Sequence, residues 1–321
     1  MIILANDGID QAGKEALESA GCTVLTAHIP QQELAAFIRD HKVQGLLVRS
    51  ATTVRRELID ECPGIRFVGR GGVGIDNIDA EYARSKGIEV FNTPASSSRS
   101  VAELVMALLF ASVRSIYSSG GKMPTQGATA FSALKKEYSK GSEVAGKTLG
   151  IIGFGRIGQA LAGYALGCGM KVLVNDPSQK TSHVAVILDG LGEVTVPVKY
   201  VGLDELLSQS DFISLHVPKQ KDGSAVLGSA ELSRVKKGVV LVNTSRGGVI
   251  EESALTEALD RGHVARACLD VFVNEPSPDA ALLAHAGVIA TPHIGASTAE
   301  AQERIGLEIA ENVRRIMGLN A

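Results

Sequence analysis

Short apolar runs alternate with helix-patterned stretches along nearly the whole chain. Residues 2–5, 22–26, 45–48, 66–69 and 89–92 form one series of predicted strands, and residues 148–153, 171–175, 212–217, 239–243, 267–270 and 288–290 form a second. Most carry Val, Ile or Leu at consecutive positions, which suits strands covered on both faces. Amphipathic stretches at 32–41, 79–85 and 253–261 lie between them. This alternation predicts an α/β fold built on parallel sheets. Residues 118–147 hold several Gly, Lys and Ser with little periodicity, which predicts a loop or linker between the two series. Just before it, residues 100–116 predict a helix with almost no polar face, buried between domains or against another subunit. Residues 297–317 predict a second long helix, with Ser297 as N-cap and Glu300 completing a capping box.

Composition narrows the function classes. A chain of 321 residues suggests two domains, and 45% hydrophobic residues exclude a mostly disordered chain. The formal charge of -3 gives no broad basic surface, so no nucleic-acid partner is expected. The longest apolar run, 101–113, contains Glu103 and Ser112 and is too short to span a bilayer. The opening MIILAND reaches a charge too early for a signal peptide. These features predict a cytoplasmic protein without a membrane partner. Cys22, Cys62, Cys168 and Cys268 lie far apart with no C-x-x-C pair, so free thiols are expected, with no disulfide framework and no metal site.

Residues 149–158 read LGIIGFGRIG, placing Gly153, Gly155 and Gly158 as G-x-G-x-x-G after a predicted strand and at the head of a helix. In that setting the first glycine permits a tight turn, the second lets backbone approach a pyrophosphate, and the third allows close helix–strand packing. The next predicted strand ends at Asp176, where an acid would take the ribose hydroxyls. A carboxylate there repels a 2′-phosphate and favours NAD over NADP, although Lys180 is close enough to offset it.

Three more residues follow predicted strands: Arg246 in VLVNTSRGG, Glu275 in LDVFVNEP and His293 in ATPHIGAST. Ligands of open α/β sheets bind beyond the C-terminal strand ends, so all three belong at the cofactor edge. A guanidinium can grip a carboxylate with two parallel hydrogen bonds, and a histidine can exchange the proton that accompanies hydride transfer. A carboxylate beside the histidine would fix its tautomer. Singly, each residue reads better as a solvated or satisfied loop residue; their joint placement behind a dinucleotide fingerprint is what points to catalysis. Of the other histidines, only His216 in LHVP is expected near the cofactor.

Through VRSAT (48–52), GRGGVGIDNID (69–79), NTPASSSRSVAEL (92–104), GFGRIG, NTSRGG, LDVFVNEP and PHIGAST, in the family's order and over nearly the whole length, the chain resembles the D-2-hydroxyacid dehydrogenases. Within that family it is most similar to the phosphoglycerate-oxidising members. The resemblance implies two Rossmann-like doubly wound domains with the active site in the cleft. The outer, substrate domain would be residues 1–99 and 291–321, and the NAD domain residues 100–290. It implies Arg246 on the substrate carboxylate and carbonyl, His293 as acid/base and Glu275 in support. Cofactor contacts would fall to Gly153, Gly155, Arg156, Ile157, Gly158, Asp176, Val217, Thr244, Ser245, Asp270, Gly295 and Ala296. Backbone amides of Gly72 and Val73 would hold the carboxylate, with Arg49 and Arg70 at a substrate phosphate and Ser50 among the substrate-binding residues.

The activity so implied is NAD-dependent oxidation of a D-2-hydroxy acid, foremost 3-phosphoglycerate to 3-phosphohydroxypyruvate in serine biosynthesis, by a homodimer. Reduction of glyoxylate, hydroxypyruvate or another unphosphorylated keto acid is the alternative within the same chemistry. A dinucleotide-sensing corepressor is the alternative outside it. The chain departs from the family in lacking any Trp, in Ser97 where many relatives carry Asn, and in a longer 178–201 segment that predicts a small hairpin around 190–192. It also runs only to Ala321, without the small regulatory domain that many relatives append.

Overall fold

The structure, a computed structural model, describes residues 1–179 and 181–319. It divides into two units, one of Met1–Ser100 with the chain from Ala296 onward, the other Val101–Gly295. The return therefore comes after Gly295 rather than at 290, because the amides of Ile294 and Gly295 donate to Asp270 and hold that loop to the second unit.

The first unit contains β1 (Ile2–Ala5), α1 (Gln11–Ser19), β2 (Thr23–Leu25), α2 (Leu34–Asp40), β3 (Gly45–Val48), α3 (Arg56–Glu61), β4 (Phe67–Arg70), α4 (Ala80–Ser85) and β5 (Glu89–Asn92). All five strands are parallel, in the order β2-β1-β3-β4-β5. The helices cover both faces of this sheet, as the apolar strands require.

The second unit takes in α5 (Ser98–Val113) from Val101 on, then α6 (Ile116–Glu137), β6 (Thr148–Ile152), α7 (Arg156–Gly167), β7 (Lys171–Asn175), β8 (His183–Leu188), β9 (Gly192–Pro197), β10 (Lys199–Tyr200), α8 (Leu203–Gln209), β11 (Phe212–Leu215), α9 (Ser229–Leu232), β12 (Val239–Asn243), α10 (Glu252–Asp260), β13 (Val264–Leu269), α11 (Ala280–Ala284) and β14 (Val288–Ala290). Seven strands form a parallel sheet in the order β10-β7-β6-β11-β12-β13-β14. Both units are doubly wound α/β folds of the Rossmann type. β8 and β9 form the separate antiparallel hairpin expected in the long segment, turning through Gly190 and Gly192 at positive φ.

The last helix, α12 (Ala299–Ile316), returns to the first unit. Its inward stripe of Ile305, Ile309, Ala310 and Val313 joins Ile3, Leu17, Leu47, Phe67 and Phe91 in one core cluster. α1 meets α12 where Gly13 faces Gly306, and a Cβ on Gly13 would collide with the Gly306 backbone. The N-cap is Thr298, whose Oγ1 accepts from the Ala301 amide at 3.2 Å, not Ser297. With that register the third helical residue is Ala301, so Glu300 forms no capping box.

Two other expectations change. Residues 118–147 are largely helical: α6 is a 22-residue helical arm interrupted at Ala130, where φ is -127° and ψ 23°. Fifteen residues of straight helix would separate Lys122 from Glu137 by about 22 Å, yet they pair at 2.7 Å, so the arm folds back on itself. Ser142 donates to the Val113 carbonyl at 3.0 Å and closes its base. α5 ends at Val113 rather than 116, since Ser115 adopts a left-handed conformation. Its Val105, Leu108 and Leu109 pack into the second unit's own core. Phe110 on α5 is exposed, and further exposed apolar side chains lie on α6, at Ile116, Tyr117, Met123 and Phe131. No single helix among the described residues is long and apolar enough to cross a membrane. All four cysteines are free thiols.

Candidate active site

The glycine turn links β6 to α7. Gly153 has φ +92°, and a Cβ there would lie 2.5 Å from the His216 carbonyl oxygen. Gly158 packs against the Gly153 carbonyl, so it too must lack a side chain. Gly155 is different: nothing lies within 4 Å of its would-be Cβ. It is the N-cap of α7 and offers no side-chain cap, so the first-turn amides of Arg156 and Ile157 have no capping acceptor among the described residues. Room for backbone approach and an uncapped helix N-terminus together fit a pyrophosphate.

Asp176 stands at the end of β7. Its Oδ2 accepts the Phe154 amide at 2.7 Å, and its Oδ1 accepts the Ser178 amide at 2.8 Å and hydroxyl at 2.6 Å. The acid is thereby tied directly to the glycine turn. Lys180 lies outside the described residues. Val217 follows β11, with its Cγ1 2.7 Å from where a Gly153 Cβ would sit. Thr244, just past β12, has a buried Oγ1 with no partner among the described residues, a further polar atom that fits a ligand at this edge. Ser245 is engaged locally, donating its amide and hydroxyl to Asn243 Oδ1.

The candidate catalytic residues follow β12, β13 and β14, at the same edge of the sheet as the glycine turn. His293 Nδ1 lies 2.7 Å from Glu275 Oε2. A carboxylate partner assigns the Nδ1 proton and leaves Nε2 as the atom that meets a substrate. The other Glu275 oxygen accepts the Phe272 amide at 2.9 Å, which fixes the carboxylate. His293 itself has a left-handed backbone, φ 54°. Asp270, the one carboxylate among the described buried residues, brackets that strained position. It accepts from Thr291 Oγ1 at 2.6 Å, the Ile294 amide at 2.8 Å and the Gly295 amide at 2.9 Å. Ala296, next in the chain, accepts from Gln302 Nε2 at 2.7 Å.

Arg246 is held by Asn243, whose Nδ2 donates to the Arg246 carbonyl at 2.9 Å, while Arg246 Nη1 donates to the Ser245 carbonyl at 2.7 Å. Sequence reasoning missed how this loop meets the Glu275 loop. Gly247 presses on the Phe272 carbonyl so closely that any Cβ would collide with it. The glycine after Arg246 was the available signal. Through Gly247, Phe272 and Glu275, the arginine and histidine loops are physically joined.

In the first unit, Arg49 and Ser50 follow β3, and Arg70 ends β4. The Arg49 amide donates to Asp7 at 2.6 Å, but its guanidinium has no hydrogen-bond or ion-pair partner among the described residues. Arg70 Nε donates to Asn77 at 3.1 Å. Two carboxylates, Asp76 and Asp79, lie near these arginines in sequence, and of them Asp79 takes Arg55 at 3.0 Å. The Gly72 amide is not available as expected: it donates to Thr93 Oγ1 at 2.8 Å. The Val73 amide has no acceptor among the described residues. Ser50 is exposed.

Residues 106–295 match the family described as D-isomer specific 2-hydroxyacid dehydrogenase, NAD binding domain. The chain is 42% identical to a hydroxypyruvate reductase of Thermotoga maritima, over 98% of this chain and 97% of the relative. It is 40% identical to a D-3-phosphoglycerate dehydrogenase of Mycobacterium tuberculosis over 85% of this chain, but that match spans 49% of the relative's length. Among solved structures it resembles a D-lactate dehydrogenase of Aquifex aeolicus, complexed with NAD and lactic acid. The TM-score is 0.77 at 30% identity, covering 99% of this chain and 96% of the other.

Proposed function

Because the chain belongs to the D-isomer specific 2-hydroxyacid dehydrogenase family, we propose that it uses NAD to interconvert a small D-2-hydroxy acid and its 2-keto acid, with 3-phosphoglycerate as the leading substrate. The observation that carries this reading is the 2.7 Å His293–Glu275 pair, set at the same sheet edge as Arg246 and the glycine turn.

When bound, the nicotinamide supplies the hydride acceptor or donor. The chain's own residues do the rest. Arg246 grips the substrate carboxylate through its planar fork and orients the neighbouring carbon. His293 Nε2 takes the 2-hydroxyl proton in oxidation and returns it in reduction, which is general acid–base catalysis. Glu275 keeps the ring oriented by holding Nδ1–H. The amides at the head of α7 and the Asp176 carboxylate hold the pyrophosphate and ribose.

The phosphate assignment is supported by Arg49, whose guanidinium is uncommitted among the described residues, next to Arg70 on the neighbouring strand. A second reading, reduction of hydroxypyruvate or glyoxylate, is favoured by the match to a hydroxypyruvate reductase along nearly its full length. We also propose a homodimer in which a second copy covers the apolar side chains of α6.

The test follows NADH absorbance with 3-phosphoglycerate, D-glycerate and D-lactate, and with hydroxypyruvate, glyoxylate and pyruvate in reverse. The proposal expects the highest kcat/KM for the phosphorylated acid. Arg49→Ala or Arg70→Ala should raise its KM by roughly 10- to 100-fold, the worth of a charge-assisted hydrogen bond, while barely affecting D-glycerate. A clear preference for hydroxypyruvate would establish the second reading, and failure to turn over any of the acids while binding NADH would refute the enzymatic one.

A further inference from the structure

In the first unit one side chain joins the loops that follow β3 and β4. Asn77 Nδ2 donates to the carbonyls of Arg49 and Thr52, both at 2.7 Å, and its Oδ1 accepts Arg70 Nε at 3.1 Å. Both acceptors are carbonyl oxygens, so the amide nitrogen must face them, and both its hydrogens are engaged. Backbone bonds reinforce the join: Val54 donates to the Asn77 carbonyl at 2.8 Å, and Asp79 to the Val54 carbonyl at 2.9 Å. On its other side the Arg49 loop is held by Asp7, which accepts the amides of Arg49 and Thr52 and the Thr52 hydroxyl.

The two arginines are close along the sheet. Val48 is in register with Arg70, and a Cβ on Gly71 would lie 3.6 Å from Arg49 Cγ. Arg70 Nη1 lies 2.8 Å from where a Gly72 Cβ would be, so the missing side chain leaves the guanidinium its place. A long arginine samples many rotamers; an acceptor fixed on Nε sets the plane of the fork before a ligand arrives.

We infer that Asn77 is a positioning residue that sets the spacing and orientation of Arg49 and Arg70, and thereby how strongly the site discriminates a phosphorylated from an unphosphorylated 2-hydroxy acid. This rests on the phosphate reading of the two arginines. Asn77 reaches Arg70 through its side chain and Arg49 through its backbone, so one substitution disturbs both. A merely structural asparagine would affect all substrates alike.

The experiment compares kcat and KM for 3-phosphoglycerate and D-glycerate in the full-length protein, Asn77→Ala, Arg49→Ala/Arg70→Ala and the triple variant, with a thermal melt of each. In Asn77→Ala the ratio of kcat/KM between the two substrates should fall about 10-fold, through the KM of the phosphorylated one, with kcat held within about 3-fold. In the background lacking both arginines, Asn77→Ala should leave the ratio unchanged, because the groups it positions are gone. If the arginine variant loses discrimination while a folded Asn77→Ala keeps it, or if Asn77→Ala weakens both substrates equally, this inference is overturned and the phosphate reading stands. If the arginine variant keeps its discrimination, the phosphate reading falls and takes this one with it. Should Asn77→Ala melt without cooperativity, Asn77→Ser, too short to bridge both carbonyls, is read the same way. Loss of the cooperative melt in both variants would assign Asn77 to folding and also overturn the inference.

Discussion

Lowering the pH should destabilise the second unit through one residue, His216. It follows β11, and its amide donates to the Ile152 carbonyl at 2.7 Å beside the glycine turn. Nε2 faces Ser214 Oγ at 2.9 Å. The residue as a whole is half-buried, but Nδ1 is fully covered and has no hydrogen-bond partner among the described residues. Burial pushes the imidazole pKa from 6.5 down to about 4. The folded state therefore resists a proton that the unfolded chain accepts freely. The stabilisation is fully present above pH 6.5 and is lost as pH falls from 6.5 through about 4. A depression of this size corresponds to about 3 kcal/mol, a large share of the ~5–15 kcal/mol that holds a typical domain together. For a unit of this size that is roughly 6–12 °C in Tm. Carboxylates titrate in the same range, so the informative quantity is the difference between the wild type and His216→Gln, which is neutral throughout. Thermal melts from pH 7 to pH 4 should show a flatter decline in the variant, by about that amount, whatever its stability at pH 7. Parallel curves for the two proteins would refute the reasoning.

Other expectations concern the site and the assembly. His293→Ala should bind NADH within a few-fold of wild type, by fluorescence titration, yet lose at least ~100-fold in kcat, the scale of a positioned acid/base; near-normal turnover would remove His293 from the mechanism. Glu275→Gln keeps an acceptor but not the charge, and stopped-flow turnover should fall about 10-fold. Asp176→Ser should lower the NAD-over-NADP ratio of kcat/KM by at least ~10-fold; an unchanged ratio would mean that Asp176 does not face the ribose. Light scattering should give a dimer, and Phe131→Asp on α6 should shift it toward monomer at micromolar concentration; a wild-type monomer would remove the proposed α6 interface.

Much of the fold was legible because its strands are apolar on both faces and flanked by amphipathic helices. All five strands of the first sheet and four of the second begin and end within a residue of their expected limits, while 212–215 ends two residues early and 264–269 begins three residues early because Arg266 interrupts the apolar run. The helical arm was hidden by Gly120, Gly121, Pro124 and Gly127, which read as breakers; the arm tolerates them because it is largely exposed and bends at Ala130. Arg246, Glu275 and His293 were legible as candidates because each follows a strand, which fixes the edge they occupy. Contacts between distant segments were not: nothing local in GRGGVG shows that Thr93 takes the Gly72 amide, or in SRGG that Gly247 abuts Phe272.

The packing of α12 onto α1 also governs the order in which the chain can finish folding. The first sheet is complete at Asn92, but the helix that covers Ile3, Leu47, Phe67 and Phe91 starts only at Ala299. Translation at ~5–20 residues per second delivers it roughly 10–40 s later. The second unit is contiguous and needs no later segment, so it can close before α12 covers its part of the first sheet. For that interval Phe67 and Phe91 lack the helix that packs on them in the finished unit, the kind of transiently exposed apolar surface that chaperones hold.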